Sequence, residues 1–166
     1  MSLTLAAVGA VLAALFDTSI APYLRIGSSQ PDLVLIFAVV WTVVVGFDGG
    51  LIWAFAGGLL IDLLAPRPLG STAFALLLTM GVAAIYARAV VRGRYARPIL
   101  AVFLCSLSYT SLYVLINRIL RGPIPADAAL SAIVPTAVVD TVVALLVGPL
   151  VVRLHARYAE RERLDW

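Results

Sequence analysis

The chain has no lysine, one histidine and one cysteine, and only 13% of its 166 residues are charged. Each shortage excludes something. A metal centre needs clustered His, Cys or carboxylates, and here His155 stands apart among arginines of the C-terminal tail while the acids are widely spaced. Cys105 cannot form an internal disulfide and reads as a small buried hydrophobe. There is no phosphate-binding loop, no HExxH pair, and no histidine inside an apolar run to complete a Ser-His-Asp triad. The chain is therefore read as a non-enzyme without a cofactor. The first apolar run lacks a preceding positive charge, and proline follows the small residues that resemble a cleavage site, so it is read as a retained helix and not a signal peptide. No repeat of 20–50 residues and no low-complexity segment is present.

What is abundant is apolar: 63% of the residues are hydrophobic. A soluble domain is nearer half apolar and a quarter charged, so the natural solvent for this chain is the bilayer. The reading is an all-α integral membrane protein with a single transmembrane domain over 1–166. Its six spans are expected at 3–21, 33–47, 50–64, 71–91, 98–117 and 129–152, followed by a short tail at 153–166. The second and third spans fall short of the roughly 20 residues that cross a bilayer. A single helix from 32 to 64 would reach on the order of 50 Å, too long for a core of about 30 Å, and "FDGG" at 47–50 is a poor helix centre. Two short antiparallel helices joined by a turn at 47–50 are expected instead.

The twelve arginines divide by side. Arg88, Arg92, Arg94, Arg97, Arg153, Arg157, Arg161 and Arg163 fall on one side of a six-span topology. Arg25, Arg67, Arg118 and Arg121 fall on the other. The positive-inside rule then places both termini in the cytoplasm. Because both clusters flank apolar spans, they signal orientation and not nucleic-acid binding.

Ionisable groups inside a membrane are expensive and mark sites worth examining. Asp17, near the end of the first span, reads as a helix-end carboxylate reaching interfacial water. Asp140 is the deepest. It is expected to hydrogen-bond to Thr136 or Thr141 or to pair with an arginine, serving either as a helix–helix clamp or as a partner or ligand contact. Asp62 precedes the break "APRPLG" (65–70). With Gly58, Arg67, Pro68 and Gly70 it is expected to form a structural turn, the Arg67 guanidinium folding back on the Asp62 carboxylate. On the first helix Ala6, Ala10 and Ala14 recur every four residues beside Gly9 and Ala13. Such small-residue rows let helices approach closely, either for internal packing or for docking a partner helix.

Two stretches, "PDLVLIFAVVW" (31–41) and "GFDGGLIWAFAGGLLIDLLAPRPLGSTAFA" (46–75), together with six short-looped spans and basic ends, resemble the MreD family of rod shape-determining membrane proteins. The resemblance implies a non-catalytic scaffold of the bacterial inner membrane that binds MreC. It further implies a place in the elongation machinery with MreB filaments, the RodA glycan polymerase and a class B penicillin-binding protein, supporting peptidoglycan synthesis. It also implies a bundle resembling the substrate-binding subunits of energy-coupling-factor vitamin transporters, which dock a partner through a small-residue first helix. Membership of that transporter class, as a vitamin-capturing subunit, is the alternative function. A third reading, an ion or proton channel, rests on Asp17 and Asp140 alone.

Overall fold

A computed structural model describes residues 3–20, 23, 29–65, 68–89, 96–121 and 126–164. Six helices account for almost all of them: α1 (Leu3–Ser19), α2 (Leu33–Val44), α3 (Phe47–Leu64), α4 (Ser71–Ala89), α5 (Ala96–Arg121) and α6 (Ala126–Leu164). Among the described residues, four stretches are long and apolar enough to cross a membrane: Phe47–Leu64, Ser71–Ala89, Pro98–Ile119 and Ile133–Arg153. Ala6–Ser19 and Leu33–Val44 are apolar but shorter.

The expected turn at 47–50 is displaced. The reversal falls at Val45 and Gly46, and Phe47, Asp48, Gly49 and Gly50 form the first turn of α3. Gly46 has φ of 148°, a backbone state that a side chain would oppose, so the chain reverses there and not at the glycine pair. Asp48 then sits in the first turn of the new helix, where its charge suits the positive end of the helix dipole. Gly49 and Gly50 serve a different purpose: α3 starts flush against the end of α2, with Gly49 on the Trp41 indole and Gly50 on Thr42. The other bounds move less, except the last. α6 runs helical to Leu164, where a tail was expected after 152.

The 12-residue α2 is the hub. It packs against all five other helices, and Val34, Leu35, Ile36, Ala38, Val39 and Val40 are fully buried. At about 1.5 Å per residue it spans only about 18 Å, well short of a bilayer core. Its depth can be placed by its neighbours. Val34, in its first turn, touches Gly57, which lies seven residues before the end of α3. This places the start of α2 about 10 Å before the end of α3.

Aromatic packing fills the middle. Trp53 begins a π-helical turn, Trp53–Gly57, within α3. Its ring stacks on Phe37 at 5.3 Å and lies 5.7 Å from Trp41, both on α2. Gly9 of α1 lies against the same indole: a Cβ there would come within 2.6 Å of Trp53. Gly58 brings α3 onto α4, where a Cβ would fall 2.6 Å from the Ala73 Cα. Because backbone cannot swing aside as a side chain can, Gly58→Ala is expected to cost about 1–3 kcal/mol by overpacking. Gly81→Ala, with nothing within 4 Å, is the control and should be neutral or stabilising. Midpoints of thermal unfolding in detergent check both, and equal midpoints for the two variants would remove the close-approach claim.

Candidate functional site

The polar residues concentrate where helices begin. The first N–H groups of any α-helix have no partner within the helix, and inside a membrane no water replaces them. α2 begins in that setting, and three aspartates serve it. The Asp32 carboxylate caps its own helix, accepting from the Leu35 N–H at 3.0 Å. Asp17, at the end of α1, accepts from the Leu33 N–H at 3.2 Å. Asp140, from α6, accepts from the Asp32 N–H at 2.9 Å. The helical ladder proper starts one residue later, with Ile36 N–H donating to the Asp32 carbonyl.

Asp140 is wholly buried. Its other oxygen accepts from the Ser106 hydroxyl of α5 at 2.5 Å, so one carboxylate joins α2, α5 and α6. The threonines expected to serve it do not. Thr141 Oγ1 donates to the Ala137 carbonyl, and Thr136 Oγ1 donates to Ser29 Oγ. An Asp–Thr pair one turn apart on a helix can meet, but the backbone carbonyl one turn back is nearer for the Thr141 hydroxyl. Asp17 is half-buried, and its Oδ1 is turned to α2. The three carboxylates serve different donors, and among the described residues no group of three such side chains is placed to hold a metal ion.

Asp62 repeats the device at the start of α4. Its Oδ1 and Oδ2 accept from the Thr72 N–H at 3.1 and 3.0 Å, and Oδ2 accepts from the Ala73 N–H at 3.3 Å. Ser71 Oγ stands 3.5 Å from Oδ1 and donates to the Pro68 carbonyl at 2.8 Å. The Ser71 and Phe74 N–H groups go to the carbonyls of Pro68 and Gly70. All four leading N–H groups of α4 are thus satisfied. Gly70 sits at φ 86°, the left-handed state that glycine enters without a steric penalty, and this aims the chain into the new helix. Gly58 lies one turn before Asp62 on the same face and lets α3 close on Ala73, which brings the carboxylate within reach. Arg67, the partner expected for Asp62, lies outside the described residues.

The small-residue row of α1 needs a correction. Ala6, Ala10, Ala13 and Ala14 are buried inside the chain itself, and Gly9 is covered by Trp53. α1 packs on α2 and α3 through this row, so a partner helix could reach it only by displacing them. The outward face of α1 is Val8, Leu12, Leu15 and Phe16. Asp32, Ser106, Ser71 and Thr72 were not anticipated as site residues. Asp32 had a signal, since aspartate just before an apolar helical run is an N-cap signature.

Removing the Asp62 carboxylate leaves the buried Thr72 and Ala73 N–H groups without acceptors. Asp62→Ala should cost about 2–4 kcal/mol, and Asp62→Asn, which keeps one oxygen, should cost less. Unfolding midpoints in the order wild type, Asn, Ala are expected; an alanine variant as stable as wild type refutes the cap. For Asp140, a double-mutant cycle with Ser106→Ala should give a coupling of about 1–2 kcal/mol. Strict additivity of the two losses would show that the pair does not interact.

Among comparisons with known proteins, a family profile described as rod shape-determining protein MreD matches residues 2–157. No curated protein matches, and no solved structure does. The match runs through all six helices and both capped helix starts. The chain belongs to the MreD family of rod shape-determining membrane proteins.

Proposed function

We propose that this chain is a non-catalytic scaffold of the cell-elongation machinery. It binds MreC in the cytoplasmic membrane and so supports peptidoglycan synthesis by RodA and its class B penicillin-binding protein, with MreB engaged indirectly. Both termini lie in the cytoplasm, on the side with eight of the twelve arginines. The observation that carries the reading is how the membrane-embedded carboxylates are used. Asp62 and Asp140 direct their oxygens to helix-start N–H groups and hydroxyls, which makes them fixtures of the architecture. A rigid bundle with an apolar exterior is what a lateral docking partner in lipid requires, because helix association there depends on shape. The contact surface for MreC lies on that exterior, the small-residue row of α1 being occupied from within.

Affinity capture of the tagged protein from bacterial membranes in mild detergent, with mass spectrometry of what accompanies it, tests the proposal. MreC is expected in near-stoichiometric amount. Its absence from a monodisperse, helical preparation overturns the scaffold reading. A co-purified vitamin in its place would establish the alternative, a substrate-capture subunit like those of energy-coupling-factor transporters.

A further inference from the structure

Gly81 of α4, and one charge on each of α3 and α4, have no use within the chain. Glycine inside a helix costs about 1 kcal/mol relative to alanine, and it is justified where a neighbour comes close, as Ala73 does to Gly58. A Cβ on Gly81 would meet nothing within 4 Å. The glycine instead leaves a notch in the lipid-facing side of α4, with the exposed Leu78 and Ile85 one turn to either side. Asp48, in the first turn of α3, and Arg88, in the last turn of α4, are exposed as well. Neither makes a hydrogen bond or ion pair with its side chain among the described residues. α3 and α4 pack on each other in opposite directions, so both charges lie at the same end. From the Gly58–Ala73 contact, Asp48 is 10 residues along α3 and Arg88 is 15 along α4, which sets the arginine about 7 Å farther out. Helical side chains incline toward the N-terminus of their helix, so Arg88 leans back toward the membrane and Asp48 leans out toward it. The long arginine stem closes the rest of the gap.

We propose that the lipid-facing side of α3 and α4 joins two copies of this chain, about a two-fold axis along the membrane normal. Gly81 receives an apolar side chain of the second copy, and Asp48 of each copy pairs with Arg88 of the other. The charges decide the occupant. A two-fold contact needs a patch that complements itself, and an acid beside a base at one level does so: the axis keeps both copies upright and brings each acid to the other's base. A partner of one charge sign would set one of the two groups against a like charge. Asp48 and Arg88 together carry no net charge, which gives an anionic lipid no preference for this face. Phe55, exposed two turns from Asp48 on α3, adds aromatic area on the same side. In lipid, close approach at small residues and polar pairs between helices drive such association. The inference does not depend on which other protein the chain binds.

The test is energy transfer between donor- and acceptor-labelled copies of the full chain in phosphatidylethanolamine–phosphatidylglycerol vesicles, at falling protein-to-lipid ratios and with no other protein present. Wild type should associate, and added unlabelled chain should abolish the transfer. D48R and R88D each set like charges opposite one another twice, and each alone should associate about tenfold more weakly. Mixing D48R chains with R88D chains should restore association, because every mixed pair regains two contacts of opposite charge. A folding defect within one chain would not be mended by mixing. Gly81→Leu should also weaken association while leaving the unfolding midpoint of the monomer in detergent unchanged. Wild type that stays monomeric at every ratio, single charge variants that associate as wild type does, or a mixture no better than either variant would each overturn the proposal. Charges bridged by one zwitterionic headgroup would give the first of these results.

Discussion

A helix that starts inside hydrocarbon must find acceptors for its first N–H groups, and this constraint organises the bundle. α2 is too short to span, starts about 10 Å before the end of α3, and is surrounded by all its neighbours. Its leading donors go to carboxylates. An unpaired buried amide costs about 1–3 kcal/mol, and a hydrogen bond to a charged group returns about as much. Carboxylates at a helix N-terminus are further favoured by the helix dipole. Three aspartates from three helices meeting at one helix start is the result. The expense of an acid in the membrane is thereby offset by donors that would be expensive too.

Glycine geometry and carboxylate capping depend on each other. Gly58 lies one turn before Asp62, and the contact of Gly58 with the Ala73 backbone is what brings the N–H groups of Thr72 and Ala73 to the carboxylate. A side chain at 58 would separate the helices and lengthen these bonds together. At the opposite end of α3 the same close approach serves packing alone: Gly49 and Gly50 seat the helix against Trp41 and Thr42. Lipid offers no hydrophobic drive between helices, so close backbone approach and satisfied polar groups are what hold α2 among its neighbours.

The sequence reveals much of this and hides the rest for identifiable reasons. Runs such as 71–91 and 98–117 are legible because composition alone marks a span, and α4 and α5 lie there. The turn between α2 and α3 is misplaced because Gly46, Gly49 and Gly50 look equivalent in a string. Only the φ of Gly46 separates a residue that reverses the chain from two that admit a neighbour. Asp62 is legible as a residue fastening a turn, but the donors it serves are backbone N–H groups at 72 and 73, which carry no residue-type signal. The Asp140 bond to the Asp32 N–H spans 108 positions, and nothing local announces it. The small-residue row of α1 is legible as a packing face, yet spacing cannot say whether the helix that fills it belongs to the same chain.

The distribution of polar groups through the depth of the bundle bears on what the aspartates can do. Asp17, Asp32, Asp62 and Asp140 all belong to the half in which α2 starts and α3 ends. The other half of α2 and α3 is built of Phe37, Val40, Trp41, Gly49, Gly50 and Trp53 around a single hydroxyl, Thr42, which donates to the Ala38 carbonyl. A proton or ion crossing a membrane needs polar groups in series through its thickness. Along α2 and α3 the series stops halfway, at stacked aromatic rings, and Asp17, Asp32, Asp62 and Asp140 are turned to helix starts. Arg88 and Arg153 close their spans at the opposite end, while Arg118 is exposed at the aspartate end. Four acids lie within the bundle, where backbone needs acceptors. Capping accounts for carboxylates within so apolar a chain without requiring a conduction path.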